Sequence, residues 1–151
     1  METNLQLEEV LNAVSAINNT QSLNKKRAVI IANSKNYLFT RVVLYLSGVI
    51  VSGMTRVRIE SPVFYRYCPL EINSLAELID YYDSRTKSPD EDKVIFVPSE
   101  KDIVITQHFI KKLKRQNREL YKQIICKEIS CGCSAETVKQ ILEVQNESTH
   151  Q

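Results

Sequence analysis

The run Tyr37-Leu38-Phe39-Thr40-Arg41-Val42-Val43-Leu44-Tyr45-Leu46-Ser47-Gly48-Val49-Ile50-Val51 decides the fold, because it reads either as strands or as a buried helix. Val42, Val43, Tyr45, Val49, Ile50 and Val51 are β-branched or aromatic, and Gly48 sits between them as a turn residue. Such side chains fit a pleated surface, which favours two strands. The helical alternative would convert the order of elements to strand-helix-strand-helix-strand. The apolar stretch from Val42 to Val51 is interrupted by Ser47 and Gly48, and it falls well short of the ~18 residues that a membrane span requires.

Upstream of this run, Leu7, Val10, Leu11, Val14 and Ile17 keep the spacing of one helical face and predict a helix near 4–18. Ala28-Val29-Ile30-Ile31-Ala32 is short, continuous and β-branched, as in a strand buried on both faces. Asn33 to Asn36 reads as a turn. Downstream, Met54 to Ile59 alternates, with Thr55, Val57 and Ile59 on one side and Arg56 and Arg58 on the other, a half-buried strand. Pro62 to Tyr67 continues this meander. Ser74 and Glu77 form a capping box before the apolar face of Leu75, Leu78, Ile79 and Tyr82. Ser84 to Asp92 is a loop, and Val94 to Val97 is a strand stopped by Pro98. From Ile103 the chain is helical in period and basic until Ser130-Cys131-Gly132-Cys133. Ser134 then caps a last helix with Val138, Ile141 and Leu142 on its apolar face.

The expected architecture is therefore α+β. Residues 1–102 form an antiparallel sheet flanked by two helices, and residues 103–147 form a helical tail that folds back as a hairpin.

Composition narrows the function without naming it. The chain has 151 residues, 43% hydrophobic and 25% charged, the make-up of a globular protein. Twenty Lys+Arg against 18 Asp+Glu leave a net charge of +2, which says little about partners. Three glycines exclude a glycine-rich phosphate loop. Glu2, Glu8 and Glu9 stand where a signal peptide would be positive. Cys68, Cys126, Cys131 and Cys133 form no disulfide framework, so the reading is a reduced, intracellular chain, cytoplasmic or nuclear. Cys126 and Cys131-x-Cys133 lack zinc-finger spacing, and neither His108 nor His150 completes one, so no metal and no cofactor are expected. No Ser-His-Asp or Cys-His motif is visible, and Asp80, Asp83 and Asp90-Glu91-Asp92 read as helix-end and loop charges. The chain is not read as an enzyme.

The order of elements resembles a Src homology 2 domain. The likeness rests on Arg58-Ile59-Glu60, on Phe64-Tyr65-Arg66-Tyr67, and on Pro69-Leu70-Glu71-Ile72-Asn73-Ser74 leading to Tyr81-Tyr82. Val94-Ile95-Phe96-Val97-Pro98 stands where that family has its last strand, and Glu8-Glu9-Val10 fits its first helix. The flavour is that of the phosphoinositide 3-kinase regulatory subunits, in which such a domain runs into a long coiled coil. Three departures accompany the likeness. The family's Phe-Leu-Val-Arg-Glu-Ser strand matches Val29 to Ser34, so its phosphotyrosine arginine falls on Ala32 (or on Ile31). The arginine of the family's first helix falls near Leu7, and the opening tryptophan is absent. A phosphotyrosine pocket so altered leaves Arg56, Arg58, Lys35 and Arg41 as candidate ligands for an anion, against the plainer reading that the alternating arginines face solvent.

In the tail, Ile110, Leu113, Asn117, Leu120 and Ile124 keep the spacing of a coiled-coil seam, with Asn117 at a register-fixing core position. Lys111, Lys112, Lys114, Arg115, Arg118 and Lys122 lie outside it. The resemblance implies a non-catalytic protein-interaction module, an adaptor or regulatory subunit whose tail docks a protein partner such as a kinase catalytic subunit or a peptide. The alternative is a nucleic-acid-associated factor, either transcription-linked with a divergent Src homology 2 domain or Alba-like, that uses the basic helix.

Overall fold

The computed structural model describes residues 2–62, 67–86 and 97–149. Its helices are α1 (Asn4–Asn18), α2 (Leu23–Ala32), α3 (Tyr37–Leu46), α4 (Arg56–Glu60), α5 (Leu75–Thr86), α6 (Glu100–Lys112), α7 (Arg118–Ile125) and α8 (Ala135–Thr149), with a 3-10 turn at Arg115–Asn117. Among the described residues there is no strand and no sheet. The α+β expectation is overturned, and with it the likeness to a Src homology 2 domain, whose core is a sheet.

The stretch that decides the fold is helical. The Asn36 side chain accepts a hydrogen bond from Phe39 N at 3.1 Å and so caps α3. Phe39, Val42 and Val43 then recur at i, i+3 and i+4, and with Tyr45 they are fully buried. Burying each contributes roughly 1.5–3 kcal/mol. The helix penalty of a β-branched residue is below ~0.7 kcal/mol, so packing decides the conformation. Gly48 follows the helix at φ +94°, a left-handed position in which a side chain is strained.

The second apolar run is also a helix. Ser22 caps α2 by accepting from Lys25 N, and Asn33 closes it by donating Nδ2–H to Val29 O at 2.8 Å. Ile30 is buried while Ile31 is 38% exposed. A strand covered on both faces would hide both. The stretch aligned with the phosphotyrosine strand, Val29 to Ser34, is thus a helix end and its turn. Neither Ala32 nor Ile31 belongs to a phosphotyrosine pocket. The Alba-like order fails at the same place, since its strand at 28–32 is absent.

Alternation misled at α4. Thr55 is not a strand residue but the N-cap, accepting from Arg58 N, and Val57 is 80% exposed while Ile59 is buried. Period two over six residues fitted by chance.

Other elements follow their sequence signals. Thr3 and Gln6 form a capping box for α1, whose Leu7, Val10, Val14 and Ile17 are buried. Ser74 accepts from Glu77 N at the start of α5, and Leu75, Leu78, Ile79 and Tyr82 are buried. Ser134 accepts from Thr137 N before α8, whose Val138, Ile141 and Leu142 are buried. The expected strand at Val94–Val97 lies almost wholly outside the described residues, as do the Phe64-Tyr65-Arg66 portion of the family likeness and Asp90-Glu91-Asp92.

The chain divides into two compact units. Unit 1 joins Met1–Ile50 to Ser130–Gln151, and unit 2 is the intervening Val51–Ile129. In unit 1, α1 packs on α2 and α3, and both α2 and α3 pack on α8. In unit 2, α6 packs on α4 and α7. The expected tail hairpin is not formed. Helix α6 ends at Lys112, Leu113 is extended, and α8 belongs with α1–α3. The boundary expected between residues 102 and 103 falls inside α6.

Candidate functional site

The four candidate anion ligands divide between the units, Arg56 and Arg58 in unit 2, Lys35 and Arg41 in unit 1. Arg56 is clasped by carboxylates. Its Nε and Nη2 donate to Glu128 at 2.6 and 3.1 Å, and its Nη1 and Nη2 donate to Glu119 at 3.1 and 2.6 Å. Glu60 lies 3.8 Å away and also pairs with Lys122 at 3.5 Å. Bonding to Glu128 and Glu119 drives the Arg56 pKa further up, and the same guanidinium holds both carboxyls below their usual range. Two bidentate pairs use the planar fork that phosphate would need. Arg56 therefore ties α4 to α7 and to the segment after α7.

That segment is shaped by a Schellman turn. Lys127 N donates to Ile124 O at 3.0 Å and Glu128 N to Gln123 O at 2.8 Å, with Lys127 at φ 57°. The left-handed slot usually held by glycine is filled by lysine, and the turn carries Glu128 to Arg56. Burial pushes the nearby Cys126 thiol up to about 11, which favours the thiol over the thiolate. Arg58 is occupied otherwise, donating Nη1–H to Gly53 O at 2.7 Å.

Lys35 and Arg41 do come together. Both line a cavity of about 270 Å³ at the α2–α3 turn. Ser34, Tyr37 and Thr40 supply polar wall, and Leu44 with Leu142 supplies an apolar floor. The Arg41 guanidinium sits 5.3 Å from the centre of the Tyr37 ring, within cation–π range.

The expected seam is not continuous. Ile110 on α6 and Ile124 on α7 are buried within unit 2, where Phe109 also meets Tyr121 edge to face at 5.8 Å. Leu113, Asn117 and Leu120 are half-buried, and Asn117 ends the 3-10 turn. What the break builds instead is a basic elbow. Between Lys111 and Arg118 the chain carries five cations and no carboxylate. Arg118 folds back, donating Nε–H to Leu113 O at 3.2 Å and Nη2–H to Lys111 O at 2.8 Å. Lys112 reaches Ile72 O and lies 3.6 Å from Glu71. Lys111, Lys114 and Arg115 are exposed. Sequence reasoning found these residues but placed them along one helix, since Leu113 continues the apolar spacing and no proline or glycine marks the bend.

Among the described residues no cluster of His, Cys, Asp or Glu could hold a metal ion, and no helix is long and apolar enough to cross a membrane. Comparison with protein families, with curated proteins and with solved structures returns no match.

Proposed function

We propose that this chain is a binding module for duplex nucleic acid, with the α6–α7 elbow as its phosphate-contacting surface. One observation carries the reading. The Arg118 bonds to the Lys111 and Leu113 carbonyls hold five cations in a single bend, and Lys111, Lys114 and Arg115 are exposed. Lys112 is paired with Glu71, but the segment Lys111–Arg118 contributes no carboxylate of its own, and such a concentration of positive charge suits a phosphate backbone; the segment also holds no aromatic side chain on which bases would stack. The adaptor reading draws less support, because the described residues form no sheet and Ile110 and Ile124 are buried in unit 2.

The test is fluorescence anisotropy on a labelled 20-base-pair duplex over a salt series. Three to four phosphate contacts give a slope of about −3 in log K against log[salt]. The double variant K114E/R115E should weaken binding, while K139E at an exposed position of α8 should not. No binding at low salt contradicts the proposal.

A second reading, a protein-interaction module, keeps one observation of its own. Ile31 and Val144, 38% and 51% exposed, line a groove of about 230 Å³ between α2 and α8, with Arg27 at its rim. A groove of this kind accepts the apolar face of an amphipathic helix. The pair I31E/V144E would abolish such binding and leave duplex affinity intact.

A further inference from the structure

We propose that the cavity at the α2–α3 turn of unit 1 is a site for a single nucleoside monophosphate, with the phosphate held by Lys35 and Arg41 and the base stacked on Tyr37. The cavity volume of about 270 Å³ lies near the lower end of small-ligand sites, roughly 300 Å³. Its lining holds two cations and no carboxylate among the described residues. Tyr37 is 58% exposed, and the Arg41 guanidinium lies over its ring. Arg41 covers part of the ring, and its exposed part is the platform for a base, since stacking accepts any flat heterocycle. The Leu44 and Leu142 floor suits a ring or sugar and not a bare, fully hydrated anion. Cation, aromatic and apolar wall together select a ligand with both a phosphate and a flat ring.

Two sources could present this chemistry, a free nucleotide and the unpaired end of a nucleic-acid strand. The test uses the full chain, labelled with ¹⁵N, and follows backbone amide shifts on adding adenosine 5′-monophosphate, inorganic phosphate, adenosine, or a duplex with a one-nucleotide 5′-phosphorylated overhang. The proposal expects the monophosphate to shift amides between Ser34 and Leu44 and to bind more tightly than phosphate or adenosine. K35A and Y37A change two exposed side chains, and each should weaken it about tenfold. Shifts at the same amides with the overhang assign the site to a strand end, and their absence assigns it to the free nucleotide. The site is overturned if millimolar monophosphate shifts none of these amides, if inorganic phosphate binds as well, or if neither variant weakens binding. K114E/R115E should leave monophosphate binding unchanged, so this proposal and the elbow can fail separately.

Discussion

Replacing Asp102 should reveal what holds unit 2 together. This carboxylate is fully buried near the start of α6 and serves four donors. Its Oδ2 accepts from Ser99 N at 2.8 Å and Ser99 Oγ at 3.0 Å, completing a capping box, while its Oδ1 accepts from Tyr81 O–H and from Arg85 Nε at 3.1 Å. Asp102→Ala removes the cap half, worth about 1 kcal/mol, and leaves the half-buried Tyr81 hydroxyl and the Ser99 and Arg85 donors without their acceptor, at about 1–3 kcal/mol. The expected loss is about 2–4 kcal/mol. Asp102→Asn keeps the Ser99 bonds and can donate to the Tyr81 oxygen, so it loses chiefly the charge-assisted Arg85 bond, at about 2 kcal/mol. Arg85 is 47% exposed and regains water, which limits that cost. Urea unfolding of the full chain followed by circular dichroism measures both variants. Burial opposes ionisation of Asp102, yet the bonds from Tyr81, Ser99 and Arg85 outweigh it and hold the carboxyl below its ordinary 3.8. A depressed folded value means that the stabilisation is present above 3.8 and is lost as pH falls through the folded value. The gap between wild type and Asp102→Asn should therefore close in strong acid. Equal stability of wild type and Asp102→Ala at pH 7, or a gap that widens in acid, would refute this account.

Other outcomes follow from single contacts. Gly132→Ala should destabilise the chain by about 2–3 kcal/mol, because the added Cβ would lie 2.6 Å from Asn18 Cα at a residue with φ +68°; a thermal melt reads it. Lys127→Gly should stabilise by about 1 kcal/mol, since glycine takes the left-handed slot without strain; the urea midpoint checks the sign. Arg56→Gln should lower the unfolding midpoint and leave duplex affinity unchanged, because its donors serve Glu119 and Glu128; a loss of affinity without a loss of stability would return Arg56 to an anion site.

Where capping residue and apolar period agreed, the sequence was readable. Thr3 with Leu7, Val10 and Val14, Ser74 with Leu75 and Leu78, and Ser134 with Val138 all mark true helices. Where β-branched content and capping conflict, β-branched content misleads. Asn36 and Ser22 are N-caps in plain view, yet Val42-Val43 and Val29-Ile30-Ile31 looked like strands. β-preference mainly records packing, and in α3 the packing is against helices. The closeness of Lys35 and Arg41 is legible because they lie six positions apart across one turn. The clasp on Arg56 was not, since Glu119 and Glu128 lie 63 and 72 residues away. Nor was the split of the Ile110–Ile124 seam, because Leu113 keeps the period in the very place where the backbone leaves the helix.

The central claim is that the elbow meets duplex phosphates, and the salt dependence of duplex binding by the intact chain, beside K114E/R115E, tests it most directly. The account predicts a slope of about −3 for the wild type and a clearly shallower one for the variant. An identical slope in both, or no binding by the wild type at low salt, would contradict it.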